Sequence, residues 1–315
     1  MLDSIQDIGR FGYQQFGINP TGAMDKHAAS IANILVGNNP GDAVIEMHFP
    51  ACSLEFNEPL LISLSGADFD ATVNGVAVPL HHPVIINENR ILSFRSLKSG
   101  SRCYLAVKGG INIKHWLDSY STNLKAEAGG YNGRKLMKDD LIELNTPASY
   151  EIEEEKDFKV LPWKAIESPG VESTGELFVL QGGEWDWLSD GSKEKFLKNP
   201  FYISHNSDRM GYRLDSEPLC ASIKTELISS AVSFGTIQLL PDGQLIILMS
   251  DHQTTGGYPR LGNIISTHLP LLAQMRAGEE IRFRFTDHAT AESLLIKHEQ
   301  HLRQLEIACK LKLEI

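Results

Sequence analysis

Cysteine is scarce in this chain: Cys52, Cys103, Cys220 and Cys309 are the four, far apart and without C-x-x-C spacing. That excludes a disulfide framework and a zinc ribbon, and leaves buried, reduced thiols as the expectation. Long apolar runs are missing too. None approaches the roughly 20 residues of a membrane span, and the N-terminus lacks the charged-then-apolar layout of a signal peptide. The expected location is cytoplasmic, with no membrane partner. Positive charge is the minority sign, with Lys+Arg 29 against Asp+Glu 40 and a net charge of −11, which excludes nucleic acid as the main partner. No G-x-x-x-x-G-K-[ST] loop offers ATP a conventional seat, and no M-K-M segment offers biotin an attachment point. Asp68 and Asp70 form a D-x-D at a hairpin with no third ligand in view, so no metal is expected.

What remains is a chain of 315 residues, 42% of them hydrophobic, long enough for one large or two ordinary domains. Strand-like segments dominate: 54–64, 71–78, 83–86, 91–94, 103–107 and 141–144 in the first half. Asn74-Gly75, Ser99-Gly100 and Gly109-Gly110 punctuate them, and Asn-Gly between such runs is a hairpin signal. Ala28, Ile31, Ala32 and Leu35 fall at helical spacing between Asp25 and Gly37, an acidic start and a glycine stop. From 147 to 175 the apolar pattern lapses into an acidic, proline-bearing stretch read as a linker. Strands are expected again at 177–180, 233–240, 244–249, 262–267 and 280–285, with helices at 184–197 and 289–311. Leu294, Leu295, His298, Leu302, Leu305 and Cys309 can share one face of the last helix. The expected domains are therefore 1–150, a linker at 151–175, 176–288, and a terminal helix at 289–315 packed on the second domain.

The halves echo each other. A Met turn (Thr21 to Asp25, Ser207 to Gly211) precedes Glu with aliphatics (Val44 to Glu46, Thr225 to Ile228). A strand then ends in Ser and Asp (Leu60 to Asp68, Leu245 to Asp251). Two β-barrel-like domains related by duplication are the expectation.

The densest chemistry lies in SDHQTTGGYPR, residues 250–260, after the core strand 245–249. Asp251 should emerge at the strand end as a base or orienting acceptor. Thr254, Thr255, Gly256, Gly257 and Tyr258 form a loop whose glycines permit positive φ and can present backbone N–H groups to an anion or a carbonyl oxygen. His252 can titrate near neutrality or stand exposed without a role. Tyr258 can act as a weak acid or a stacking wall. Arg209 and Arg213 can hold a carboxylate bidentately, or pair with Asp208 or Asp215.

DIGRFGYQQFGINPTGAMD at 7–25, SDRMGYRL at 207–214, FGTIQLLPDGQLIILMSDHQTTGGYPRLG at 234–262 and LPLLAQMRAGEEIRF at 269–283 together resemble one family. It is the biotin-dependent carboxyltransferase-like family that includes the C subunit of 5-oxoprolinase, allophanate hydrolase subunit 2 and the carboxyltransferase region of urea carboxylase. The resemblance covers nearly the whole chain. It implies a mainly β protein with a few helices: two cyclophilin-like β-barrel domains related by duplication. It implies work in a heteromeric complex with a kinase-inhibitor-like relative, the B subunit, together with an A subunit. That complex opens 5-oxoproline to glutamate at the expense of ATP, which enters through the complex. Two alternatives come with it: biotin-dependent carboxyl transfer to a urea-like amide, the biotin arriving on a partner protein, and non-catalytic binding of a B-subunit relative. The catalytic set it points to is Asp251, His252, Thr254, Thr255, Gly256, Gly257 and Tyr258. Substrate contacts are expected from Arg209, Met210, Arg213, Gln6, Asp7, Arg10, Asp25, Glu46 and Gln238. His252 stands where relatives commonly carry Arg, and Arg260 where they carry Lys.

Overall fold

The computed structural model describes residues 2–146, 150–166, 175–223 and 225–313. The part of the expected linker at 147–149 and 167–174 lies outside them. The chain divides into two compact units, Met1–Arg10, Asp25–Ser168 and Glu299–Ile315 in the first, Phe11–Met24 and Pro169–His298 in the second.

The first unit runs β1 (Ser4–Gln6), α1 (Lys26–Leu35), β2 (Val44–His48), β3 (Leu54–Phe56), β4 (Leu60–Asp68), β5 (Ala71–Val73), β6 (Val76–Ala77), β7 (Pro83–Ile86), β8 (Arg90–Phe94), β9 (Ser99–Val107) and β10 (Phe158–Val160). A six-stranded sheet, β1-β2-β9-β4-β7-β10, and a four-stranded one, β3-β8-β5-β6, enclose one apolar core. The Asn74-Gly75 signal holds: both residues take positive φ, 49° and 81°, as a type I′ turn needs, and join β5 to β6. Asp25 caps α1 by accepting from the Ala28 N–H at 2.8 Å. Ser99-Gly100 opens β9 rather than turning the chain, and 141–144 contributes only a single bridge, Leu144 to Ile111.

The second unit runs β11 (Glu176–Gln181), α2 (Asp190–Lys198), β12 (Phe201–Ile203), β13 (Gly211–Asp215), β14 (Ser230–Ala231), β15 (Thr236–Leu239), β16 (Leu245–Leu248), β17 (Thr255–Gly256), β18 (Arg260–Ile264), α3 (Leu269–Gln274), β19 (Glu280–Phe285) and α4 (His288–Leu313), whose last part belongs to the first unit. Seven strands close into a barrel, β11-β18-β15-β16-β13-β12-β19, sealed by the parallel pair β11 and β19. Alternation fills the interior with Leu177, Val179, Tyr212, Leu214, Ile237, Leu245 and Ile247. Trp185, Phe196 and Phe283 plug one region, Phe196 stacking on Phe283 at 4.7 Å between centroids. The expected helix at 184–197 splits into a 3-10 turn (Trp185–Trp187) and α2, because Ser189 caps α2 through the Ser192 N–H.

The units depart from the expected domains in three places. Met24 is 1% exposed within the barrel core, so the segment Phe11–Met24 belongs to the second unit. β10 pairs antiparallel with β7, so part of the expected linker is sheet. The end of α4 packs Leu302, Leu305 and Cys309 against Ile31, Ile34 and Leu35 of α1, in the first unit rather than the second. The echo also breaks at one point, since Val44 to Glu46 is strand but Thr225 to Ile228 is not, and Ile228 is 92% exposed.

All four cysteines are free, and burial pushes the Cys52 and Cys309 thiols up to about 12 and about 11. Such thiols stay protonated at neutral pH and are inert as nucleophiles. Cys220 is exposed, against the expectation of burial. Among the described residues no helix is long and apolar enough to cross a membrane, and no group of three His, Cys, Asp or Glu side chains could hold a metal ion.

Candidate functional site

On the barrel, residues directly opposite across antiparallel strands point to the same face. Arg213 on β13 opposes Ile246 on β16, Ile246 opposes Gln238 on β15, and Gln238 opposes Arg260 on β18. Their chain neighbours Tyr212, Ile247 and Ile237 fill the core, so this row points outward. Gln238 is nevertheless 0% exposed. The segment after β16 crosses over it: β17 pairs with β14, the Val232 N–H reaches Thr254 O at 3.2 Å, and the Leu239 N–H reaches Pro259 O at 2.9 Å.

A cavity of about 390 Å³ opens along this row. Arg213, Gln238, Gln253 and Tyr258 give it polar groups, Leu240, Pro241 and Ile246 give it apolar walls, and Asp242 is its acidic member. Asp242 is turned toward its own chain, where it accepts from the Gln244 N–H at 3.0 Å. Among the described residues the Arg213 guanidinium has no ion-pair partner. Neither amide atom of Gln238 has a hydrogen-bond partner. A buried donor or acceptor left unmade costs about 1–3 kcal/mol, so the pair is poised to gain from a ligand that supplies both. Volume and lining suit a small molecule held by a few convergent polar groups.

The two glycines above Gln238 serve differently from the expectation. Neither Gly256 nor Gly257 takes positive φ. Their lack of a side chain serves close packing instead: a Cβ on Gly256 would lie 2.6 Å from Gln238 Nε2, and one on Gly257 3.2 Å from Leu227 O. Thr255 and Gly256 pair with Ala231 and Ser230 as strand, so the anion cradle expected from a glycine loop is replaced by a ribbon packed over Gln238.

Arg209 and Asp251 are brought together, the ion-pairing alternative for Arg209 and the orienting one for Asp251, with each other as partners. Arg209 Nε and Nη2 donate to Asp251 Oδ2 and Oδ1 at 2.9 and 3.0 Å, a bidentate pair with both side chains largely buried. Nη2 also donates to Gly22 O at 2.6 Å and Ser250 Oγ at 3.0 Å, and Asn19 Nδ2 donates to Asp251 O at 2.9 Å. Asp208, considered as a partner for Arg209, instead accepts from the Met210 and Gly211 N–H groups at 2.8 and 3.2 Å. Asp251 is thus an orienting carboxylate rather than an unengaged base, and of the two arginines only Arg213 faces the cavity. His252 is buried, 3% exposed, with Nδ1 2.6 Å from Gln253 O.

The remaining candidates belong to the first unit. Asp7 accepts from the Gly9 N–H at 2.7 Å, the Tyr120 N–H at 2.6 Å, Ser119 Oγ at 2.9 Å and Ser121 Oγ. Arg10 donates to Trp116 O at 3.0 Å and Ser121 O at 2.9 Å while covering the Trp116 ring at 4.1 Å. Gln6 Nε2 donates to Ser4 Oγ at 3.0 Å. Tyr104, which the sequence did not flag, joins two others: its hydroxyl donates to Glu46 Oε2 and accepts from the Asp25 N–H, both at 2.8 Å. Burial, reinforced by Glu46, holds that phenol well above its usual range. Desolvation lowers the neighbouring Lys26 ammonium to about 8, against the pull of Asp7.

Arg260 was singled out in the sequence, but its partner was not. Arg260 clasps Glu184 with Nε to Oε2 at 2.9 Å and Nη2 to Oε1 at 2.7 Å, and that guanidinium lowers the Glu184 carboxyl. Arg260 also lines a second cavity of about 360 Å³ with Gly182, Gly183 and Asn263. Strand alternation puts Arg213 on the face opposite Tyr212 and Leu214, but the partner strands that complete the cavity are invisible in one sequence.

Compared with known families, residues 16–285 match the model described as carboxyltransferase domain, subdomain A and B. The chain is 34% identical over 302 residues to the C subunit of 5-oxoprolinase from Haemophilus influenzae, covering 96% of this chain and 94% of that protein. It is 34% identical over 283 residues to the protein of the same name from Escherichia coli, covering 90% and 88%. Among solved structures it is similar to the K. lactis urea amidolyase, with a TM-score of 0.87 and 26% identity over 96% of this chain. It spans 19% of that chain.

Proposed function

Because the chain belongs to the carboxyltransferase domain family, subdomains A and B, we propose that it is the counterpart of the C subunit in an ATP-dependent 5-oxoprolinase. That enzyme would open the cyclic amide of 5-oxoproline to glutamate. The cavity beside β13 carries the reading, because it joins an unpaired guanidinium to a partnerless carboxamide. 5-Oxoproline offers a carboxylate to the first and an amide to the second. Arg213 holds the carboxylate, Tyr258 walls the ring, and the Arg209–Asp251 pair fixes the turn from which Gln253 and Tyr258 reach the cavity.

The residues present do not fit a nucleoside triphosphate. The cavity has one unpaired cation, Arg213, and the sequence has no phosphate loop. ATP therefore belongs to one of the other two components, the A or the B subunit of the complex, while this chain supplies binding and orientation. The similarity to urea amidolyase favours one second reading, carboxyl transfer to a urea-like amide with biotin carried on a partner protein.

In the assembled complex, Arg213→Ala is expected to raise KM for 5-oxoproline about 10- to 100-fold, the range for losing a hydrogen-bonded charge, with a smaller change in kcat. Steady-state kinetics of glutamate release checks this. An unchanged KM removes Arg213 from the site.

A further inference from the structure

We infer that Gln238 reads the amide itself, and that it selects a cis amide. The inference rests on the 5-oxoproline reading and adds to it the group that recognises the bond to be opened. Gln238 lines the cavity, is fully buried, and has neither its N–H₂ nor its C=O satisfied. A carboxamide presents donor and acceptor on one edge. Its complement is another edge with N–H and C=O side by side, so that two parallel hydrogen bonds close a ring. Open-chain secondary amides are trans, with N–H and C=O on opposite sides, and their cis form is rare. A five-membered lactam cannot be trans. Gln238 therefore distinguishes a lactam from a peptide bond by geometry alone.

The surroundings narrow the ligand further. Arg213 lies two strands away in the same outward row, across Ile246, so a carboxylate-bearing lactam can span cation and carboxamide over an apolar floor. The ribbon above fits closely, since Gly256 leaves no room for a Cβ beside Gln238 Nε2. The ureido ring of biotin also presents N–H and C=O on one edge, but in its uncarboxylated, carrier-linked form it has no carboxylate for Arg213.

Calorimetric titration of the full chain, alone and in the assembled complex, tests the inference with 5-oxoproline, N-methyl-5-oxoproline, proline and biotinamide. The wild-type protein should bind 5-oxoproline about 10- to 100-fold more tightly than the N-methyl compound or proline, each of which lacks one of the paired groups. Gln238→Leu removes both polar atoms at similar size, so it should fold and should abolish this discrimination. Arg213→Ala should weaken 5-oxoproline and its N-methyl analogue alike and keep their ratio. Equal wild-type affinity for both compounds, discrimination that survives Gln238→Leu, or no binding in either preparation overturns the inference. Preference for biotinamide over 5-oxoproline, unaffected by Arg213→Ala, overturns the lactam assignment. Glutamate release that depends on this chain, without discrimination at Gln238, would leave the proposed function standing and this inference refuted.

Discussion

Asp251→Ala is expected to destabilise the second unit by about 3–5 kcal/mol, the cost of breaking a buried charge pair by removing one member. Arg209 is held by Asp251 at 2.9 and 3.0 Å and also donates to Gly22 O and Ser250 Oγ. The turn it secures leads into Gln253 and Tyr258 at the cavity, so glutamate release by the complex should fall about 100-fold, the scale of a roughly 1 Å misplacement. Asp251 acts here as a positioning residue, and a double-mutant cycle separates that role from direct chemistry. Arg209→Leu with Asp251→Leu removes both charges and should lose less stability than either single change. Urea unfolding and steady-state kinetics on the four proteins give the coupling. A single Asp251→Ala variant with wild-type stability and activity would contradict the role given to the pair.

In the first unit, Asp7→Ala should cost about 3–5 kcal/mol as well. One carboxylate, 4% exposed, receives the Gly9 and Tyr120 N–H groups and the Ser119 and Ser121 hydroxyls, and so ties the end of β1 to the 119–121 segment. Alanine would leave those donors facing each other without an acceptor. Asp7→Asn keeps one acceptor oxygen and should fall between alanine and wild type. Urea denaturation followed by tryptophan fluorescence reads the difference, because Trp116 stacks on Arg10 beside the same network. A loss below about 1 kcal/mol, typical of a surface substitution, would show that the network is not structural.

Much of the fold was legible because its signals are local. Asn74-Gly75 dictates its hairpin, Asp25 caps the helix whose apolar spacing follows it, and the run 245–249 carries its own strand pattern. The less legible parts depend on partners distant in sequence. Nothing near Met24 says that it enters the core of the second barrel, and nothing near Phe158 says that a strand awaits it on β7. At the candidate site the same limit operated. Arg209, Arg213, Asp251, Gln238 and Tyr258 were all picked out as residue types, but their pairing was not. Only the folded chain turns Arg209 to Asp251, leaves Arg213 to the cavity, and shows that Gly256 is small so that Gln238 can lie beneath it.

The most direct test of the central claim is glutamate release from 5-oxoproline with ATP, using this protein together with the proposed A and B subunits, each component left out in turn. The proposed role predicts that release requires all three and disappears when this chain is omitted. Undiminished release without this chain, or none from the complete set, would contradict it and favour carboxyl transfer or non-catalytic binding.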